Sequence, residues 1–253
     1  MKIEIKDENN FEDESKNTVD NFKRSKHITV GKDYNFIPKN IFFKIASFLL
    51  YCIAYPILFL YDKLVFGLKI KGRKNLRKIK GAKITISNHI NILDVSFVSL
   101  ANFPNPLYFP TIKSNLEIPF VSILVKLLRG LPIPNTFEGK RAFYNVIEDL
   151  LKRNKSIHFY PEGSLIPYHD KIRKFKDGAF DFACSYHVPV IPIVYTYREP
   201  KGIFKYIKKK KCITLNVLEA VYPEKDDKKY VEEFKNMVYH KMNTFMDENN
   251  YKS

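Results

Sequence analysis

The sequence predicts an α/β domain with a mostly parallel sheet flanked by helices, and an apolar helix in front of it. Strand-like apolar segments alternate with segments of helical spacing, which is typical of a parallel sheet whose strands are joined by helices. Four segments are predicted as strands: 83–87, 156–160, 188–194 and 213–217. Three segments space their apolar residues as helices do: 139–153, 177–186 and 228–249.

The apolar helix is predicted from residues 45–61, which carry no charge. A helix of about 17 residues is about 25 Å long, shorter than the roughly 30 Å hydrocarbon core of a bilayer. Pro56 is expected to kink it, and its tyrosines suit the membrane–water interface. We therefore predict a helix that continues to residue 66 and is half-inserted in a membrane. A buried core helix is the alternative.

The composition divides the chain into three parts. Residues 1–35 are polar and carry charges of both signs, which predicts a flexible arm. Residues 36–70 hold the membrane-associating helical segment. Residues 71–253 hold the α/β domain, which is long enough to bury one sizeable core.

The chain is strongly basic, with a formal net charge of +16 and a pI near 9.5. Such an excess favours anionic partners, either nucleic acid or anionic lipid. The lysine-rich run 205–211 is compatible with both, but no nucleic-acid-binding motif accompanies it. The sequence therefore predicts membrane lipids and an anionic membrane surface as partners, and no nucleic acid.

The spacing of cysteines and histidines indicates neither a disulfide framework nor a metal site. The three cysteines lie far apart without CxxC pairing, which favours a reducing compartment and hence the cytoplasmic face of a membrane. The six histidines lack metal-ligand spacing. One of them, His158, lies inside a predicted strand and is expected to be packed or hydrogen-bonded.

His89 and Asp94 follow the strand 83–87 and are five residues apart. On a continuous helix they would point about 140° apart. They meet only if His89 lies in the strand-to-helix turn and Asp94 lies in the first turn of the next helix. There Asp94 accepts the imidazole Nδ1–H and leaves Nε2 free to take a proton from a hydroxyl. The pair predicts a general base that activates the alcohol of a substrate, with a His and an Asp that cap a helix as the alternative.

A second polar turn, the Pro-Glu-Gly-Ser sequence at 161–164, follows the strand 156–160. Ligands in α/β folds bind outside the carboxyl ends of the strands. Glu162 and Ser164 offer hydrogen-bonding groups, and Gly163 permits close approach to the backbone. The turn is predicted to bind substrate beside the dyad, with an ordinary strand-ending turn as the alternative.

These motifs together resemble the glycerolipid acyltransferase family, whose best-known members are the lysophosphatidic-acid acyltransferases. A single block of the family is weak evidence, whereas four blocks in order are specific. The four blocks are Asn88, His89 and Asp94 (the NHxxxxD motif); Lys113, Leu116, Pro119 and Gly130; Tyr160 to Ser164; and Val188, Pro189 and Pro192.

The resemblance implies transfer of a fatty acyl group from acyl-CoA or acyl-carrier protein to the hydroxyl of lysophosphatidic acid, giving phosphatidic acid, without a cofactor. It implies His89 and Asp94 as the catalytic residues. Lys113 and backbone N–H groups are expected to stabilise the oxyanion that develops. The implied substrate-binding residues are Asn88, Lys113, Glu162, Gly163, Ser164, Arg173 and Lys174.

Two positions depart from the family. Asn135 and Leu165 stand where arginines are expected to contact the acceptor phosphate, a group that arginine holds bidentately. Either Arg173 and Lys174 replace them, or the acceptor is a different lipid that need not carry a phosphate. A basic membrane-surface adaptor without catalytic activity is the alternative of another class, and it would need no such dyad.

Overall fold

A seven-stranded sheet lies at the centre of the structure, a computed structural model that describes residues 28–250. The strands are β1 (Lys69–Lys71), β2 (Lys83–Ser87), β3 (Leu107–Ile112), β4 (Gly130–Ile133), β5 (Ser156–Phe159), β6 (Val190–Arg198) and β7 (Cys212–Val217). Their order across the sheet is β1-β7-β6-β2-β5-β3-β4. Neighbours are parallel except β6 and β7, which are antiparallel. The predicted fold class is confirmed.

Helices cover both faces of this sheet. They are α1 (Ile41–Val65), α2 (Arg73–Lys78), α3 (Asp94–Asn102), α4 (Val121–Leu127), α5 (Phe137–Lys152), α6 (Gly178–Ser185), α7 (Phe204–Ile207) and α8 (Lys228–Asn249). Alternate residues of a strand point to opposite faces. Val190 and Val194 of β6 accordingly join the core cluster of α5, α6 and α8, whereas Ile191 and Ile193 join that of α2 and α3. A short 3₁₀ helix, Lys113–Leu116, follows β3.

Helix α1 is longer than the sequence predicted. It begins at Ile41, where the side chain of Asn40 accepts a hydrogen bond from Phe42 N (2.7 Å), and it ends at Val65. Its 25 residues span about 37 Å, which is long enough, with its apolar composition, to cross a membrane. The shorter predicted helix missed the first turns because Lys44 interrupts the apolar run. Most apolar side chains of α1 are exposed.

The segment directly before α1 packs against the α/β domain. Val30 is fully buried and Phe36 nearly so. The backbone N–H of Ile28 donates to Glu117 Oε1 (3.3 Å). The flexible arm predicted for residues 1–35 is therefore too long at its carboxyl end, because burial of Val30 fixes this stretch. Residues 1–27 of that prediction lie outside the described residues.

Candidate functional site

The site lies at the carboxyl edge of the sheet, where β2 and β5 end side by side. The two strands are parallel neighbours, with Ile86 opposite Phe159. His89, just after β2, and Tyr160, just after β5, therefore reach the same edge. Their rings stack with centroids 4.0 Å apart and planes 17° apart. The stacking fixes the plane of the imidazole against the sheet.

His89 and Asp94 meet as the spacing predicted. His89 Nδ1 lies 2.9 Å from Asp94 Oδ2. The same carboxylate oxygen accepts backbone hydrogen bonds from Ile90 (2.7 Å) and Asn91 (3.0 Å). The turn between β2 and α3 is thus folded around the carboxylate, and Asp94 is the first residue of α3.

The surroundings of the pair set its protonation. Burial raises the pKa of Asp94, and the hydrogen bonds from His89, Asn91 and Ile90 oppose that shift because they favour the carboxylate. With Nδ1 donating to Asp94, Nε2 carries the lone pair. Within residues 28–250, Nε2 makes no hydrogen bond, and the His89 side chain is 21% exposed. The nitrogen that could take a proton is therefore open.

Buried polar side chains hold the turn in place. Asn88 is fully buried; its Oδ1 accepts from Tyr195 N (2.9 Å) and its Nδ2 lies 3.5 Å from Tyr195 O. The Tyr195 hydroxyl in turn donates to Asp94 O (3.3 Å). The Ser96 hydroxyl of α3 lies 2.7 Å from Asp62 Oδ2 of α1. In this structure Asn88 joins the end of β2 to β6, because both ends of its amide contact the backbone of Tyr195.

A second histidine lies behind the first. His158 of β5 is fully buried, with Nδ1 2.9 Å from Thr85 Oγ1 and Nε2 3.2 Å from Ser87 Oγ. Burial, and then the charge of His89, lower its pKa to about 3. It therefore stays neutral, and its ring packs edge-on against Tyr160. The prediction of a packed, hydrogen-bonded histidine is confirmed. Its place beneath the dyad follows from strand register, which the sequence alone did not show.

The Pro-Glu-Gly-Ser turn is bound to the dyad through Glu162, which is buried. Glu162 Oε2 accepts from His89 N (3.2 Å) and from Arg173 Nε (3.1 Å) and Nη2 (2.7 Å), and Oε1 accepts from Arg173 N (3.0 Å). Arg173 Nη1 donates to Ser164 Oγ (2.7 Å), and Nη2 donates to Ser164 O. Glu162 and Arg173 thus tie the turn to His89, a link that sequence spacing did not reveal.

Gly163 is required at the tip of this turn. Its φ is +79°, a left-handed conformation that residues with a Cβ rarely adopt. A Cβ there would also lie 2.7 Å from Cε of Lys176, whose side chain lies beside the glycine. Gly163 itself is exposed, so the turn presents its backbone next to a lysine side chain.

Within residues 28–250, no hydrogen bond or ion pair joins Lys113 or Lys174 to the dyad. Lys113 begins the 3₁₀ helix after β3, which is parallel to β5, so it lies at the same edge of the sheet. Lys174 is exposed next to Arg173. Asn135 is exposed just before α5, and Leu165 is half-buried after the turn. Neither residue therefore supplies a positive charge at the two positions where arginines were expected.

Several known proteins of similar sequence are named as acyltransferases. The chain is 34% identical over 142 residues to the 1-acyl-sn-glycerol-3-phosphate acyltransferase of Escherichia coli, and the match covers 51% of this chain and 53% of that protein. It is 28% identical over 192 residues to the Saccharomyces cerevisiae protein of the same name, covering 71% and 60%. The chain thus spans about half the length of the bacterial relatives it matches.

The fold also has a solved counterpart. The crystal structure of the 1-acyl-sn-glycerophosphate (LPA) acyltransferase PlsC from Thermotoga maritima superposes with a TM-score of 0.58, at 21% identity, over 83% of this chain and 89% of that one. The family model described as Acyltransferase matches residues 67–196, just over half of the chain. This range contains the dyad, the glycine turn and the strands that carry them. The chain belongs to the acyltransferase family.

Proposed function

We propose that the chain is an O-acyltransferase that moves a fatty acyl group from the thioester of acyl-CoA or acyl-carrier protein to the hydroxyl of lysophosphatidic acid, giving phosphatidic acid. The observation that carries the proposal is the 2.9 Å contact between His89 Nδ1 and Asp94 Oδ2, with Nε2 open. The relatives named as 1-acyl-sn-glycerol-3-phosphate acyltransferases support the choice of acceptor.

The proposed reaction is one direct transfer. Nε2 of His89 takes the proton of the acceptor hydroxyl while its oxygen attacks the thioester carbonyl carbon. A C–O bond forms and a tetrahedral oxyanion results. The C–S bond then breaks, and His89 returns its proton to the departing thiolate. Asp94 stays ionised and stabilises the imidazolium that exists between the two steps, as in other His–Asp pairs.

The predicted binding residues divide into two groups in this proposal. Asn88 and Glu162 are buried and hydrogen-bonded to the protein, so they position His89 and the turn. Gly163 and Ser164 form the face of the turn that meets the acceptor. Lys113 and backbone N–H groups stabilise the oxyanion. No cofactor takes part, because deprotonation and displacement need only the dyad and the thioester.

Arg173 has few hydrogen-bond donors left for the acceptor phosphate. A guanidinium has five N–H donors, and Arg173 uses four of them within the turn, one on Nε, two on Nη2 and one on Nη1. One N–H therefore remains, which suffices for a single bond to phosphate and not for a bidentate grip. Lys174 beside it and Lys176 next to Gly163 supply further positive charge.

A second candidate keeps the mechanism and changes the acceptor. Leu165 and Asn135 remove two cations from the positions where the family has arginines. A charge-assisted hydrogen bond contributes about 1.5–3 kcal/mol, or about 10- to 150-fold in affinity. A lipid alcohol without phosphate is therefore the alternative acceptor.

Membrane association completes the proposal. Helix α1 is long and apolar enough to cross or enter a bilayer, and its side chains are largely exposed in the described structure. The charge of +16 favours an anionic surface. We place the domain at the cytoplasmic face, where a lipid acceptor in the membrane and a soluble thioester donor both reach the carboxyl edge of the sheet.

The test is a transfer assay with purified protein and labelled acyl-CoA. Lysophosphatidic acid is compared with monoacylglycerol of the same chain, in the wild type, in Lys174→Ala and in Lys80→Ala, a matched exposed lysine before β2. We expect phosphatidic acid to form, and the preference for the phosphate-bearing acceptor to fall only in Lys174→Ala. Equal rates on both acceptors in the wild type would exclude phosphate recognition and support the second candidate, and no acylated product from either would reject lysophosphatidic acid as the acceptor.

A further inference from the structure

The connection between β6 and β7, residues 199–211, carries exposed apolar and basic side chains that the acyl-transfer mechanism does not use. Ile203, Tyr206 and Ile207, in and around α7, are 71%, 85% and 62% exposed. Exposed lysines alternate with them at positions 201, 205 and 209. Large apolar side chains surrounded by lysines are typical of segments that lie in the interface of an anionic membrane.

The connection lies at the same edge of the sheet as the dyad. β6 is parallel to β2, and Ile193 is the partner of Ser87, the last residue of β2. β6 then continues to Arg198, which carries the chain about 16 Å further in the strand direction. The connection therefore begins beyond the level at which β2 ends and His89 follows.

Two contacts fix the connection to the neighbouring parts of the site. Lys208 Nζ donates to Val65 O, the last residue of α1. Lys210 Nζ lies 5.0 Å from the ring centroid of Tyr168, and Tyr168 N donates to Ile90 O (3.0 Å) in the turn of the dyad. The connection is thus continuous with the exposed helix α1 on one side and with the dyad turn on the other.

We propose that residues 199–211 are a second membrane contact, in which Ile203, Tyr206 and Ile207 enter the interface of an anionic leaflet and the lysines bind its headgroups. The occupant is a lipid bilayer because the apolar tip is continuous with α1 and its charge complements anionic lipid. With α1 as the other contact, the carboxyl edge of the sheet faces the leaflet. The inference rests on the proposed site of action at a membrane and adds the element that orients the dyad there.

A single-tryptophan reporter tests the contact, because the chain has no tryptophan of its own. Tyr206→Trp places the reporter in the tip, and Phe48→Trp places one in α1. Tyr222→Trp is the matched control: Tyr222 is exposed, but it follows the bridge of Val221 to Val190 at the opposite edge of the sheet. Each full-length variant is mixed with vesicles of equal parts phosphatidylcholine and phosphatidylglycerol that contain brominated lipid.

We expect Tyr206→Trp and Phe48→Trp to shift to the blue and be quenched by the brominated lipid, and Tyr222→Trp to do neither. Quenching at Phe48→Trp without quenching at Tyr206→Trp overturns the second contact and leaves anchorage by α1 intact. No quenching at either position overturns both. A blue shift of Tyr206→Trp without lipid that grows with protein concentration would assign the tip to a second copy of the chain instead. None of these readouts depends on acyl transfer, so they are separate from the test of the activity.

The role of the lysines is tested in the Tyr206→Trp protein. Lys201→Gln/Lys205→Gln/Lys209→Gln removes three charges from the tip, and Lys78→Gln/Lys80→Gln/Lys155→Gln removes three exposed charges next to the amino ends of β2 and β5. Each lysine near an anionic surface contributes about fivefold to binding. We expect tip quenching to weaken strongly in the first triple variant and to depend less on salt, because fewer lysines meet the leaflet. In the second triple variant the quenching and its salt dependence should stay as in the Tyr206→Trp protein. Equal behaviour of the two triple variants overturns headgroup binding at the tip.

Discussion

Removal of the Arg173 guanidinium should destabilise the site through Glu162. In Arg173→Ala the Glu162 carboxylate, whose side chain is 2% exposed, loses the donors Nε and Nη2, and the hydrogen bonds left to it within residues 28–250 come from the backbone of His89 and of residue 173. Breaking a buried ion pair costs about 3–5 kcal/mol. The arginine is 20% exposed, so water can partly replace it, and we expect a loss near the lower end, about 3 kcal/mol in the free energy of unfolding.

A double-mutant cycle separates this pairing from general damage. Glu162→Gln removes the buried charge, so adding it to Arg173→Ala should cost less than the sum of the single losses, with a coupling of about 2 kcal/mol. Urea unfolding in detergent micelles, followed by circular dichroism, measures all four proteins. Lys174→Ala, an exposed neighbouring cation, is the control and should change stability by at most about 0.5 kcal/mol. Additive losses in the cycle would refute the argument that the two side chains act as a pair.

Three further predictions concern the dyad and the rings beneath it. Burial lowers the pKa of His158 to about 3, below an unfolded value of about 6.5, so the stability that the neutral ring contributes is present above pH about 6.5 and lost as the pH falls towards 3. His158→Gln should therefore remove roughly 2 kcal/mol of the loss in the free energy of unfolding between pH 6.5 and pH 5. An unchanged pH dependence of unfolding would contradict a neutral buried histidine. The Tyr160 hydroxyl is buried without a hydrogen-bond partner among residues 28–250. Tyr160→Phe should therefore keep the stacking on His89, retain transfer and raise the free energy of unfolding by about 1 kcal/mol. A clear loss of stability in thermal unfolding would show that the hydroxyl is hydrogen-bonded. Asp94→Asn should lower kcat by about 10⁴-fold, because an amide that donates to Nδ1 favours the wrong tautomer of His89. A kcat within tenfold of the wild type in steady-state kinetics would show that Asp94 does not set this tautomer.

The sequence predicted the parts of the fold that have strong apolar patterns. β2 is fully buried and matches its predicted range, and α8 begins and ends at the predicted residues. Three strands were not predicted for identifiable reasons. β1 has only three residues, two of them lysines. β3 and β4 contain Pro110 and Pro132, which cannot donate to a ladder, and with six and four residues they are too short for their apolar pattern to outweigh a proline, as the pattern around Pro192 does in the nine-residue β6.

The site was predictable where its geometry is local. His89 and Asp94 lie within one turn, so their spacing was enough to predict their contact. His158 and Arg173 come from elsewhere in the chain, and their places depend on strand register and on the path of the loop after β5. Such contacts depend on the three-dimensional fold and leave no spacing signal in the sequence. Arg173 was predicted to bind substrate because it belongs to the basic run 171–176 after the third block, whereas the structure places most of its donors within the turn.

The proposed role of His89 as general base is tested by the rate at which the wild type and His89→Ala form phosphatidic acid from labelled acyl-CoA and lysophosphatidic acid. The His89 side chain is partly exposed and stacks on Tyr160, so thermal unfolding of both proteins in the same micelles is the control for an intact fold. We expect the wild type to form phosphatidic acid and His89→Ala, still folded, to form none above the uncatalysed background. A rate near that of the wild type in folded His89→Ala would exclude His89 as the general base.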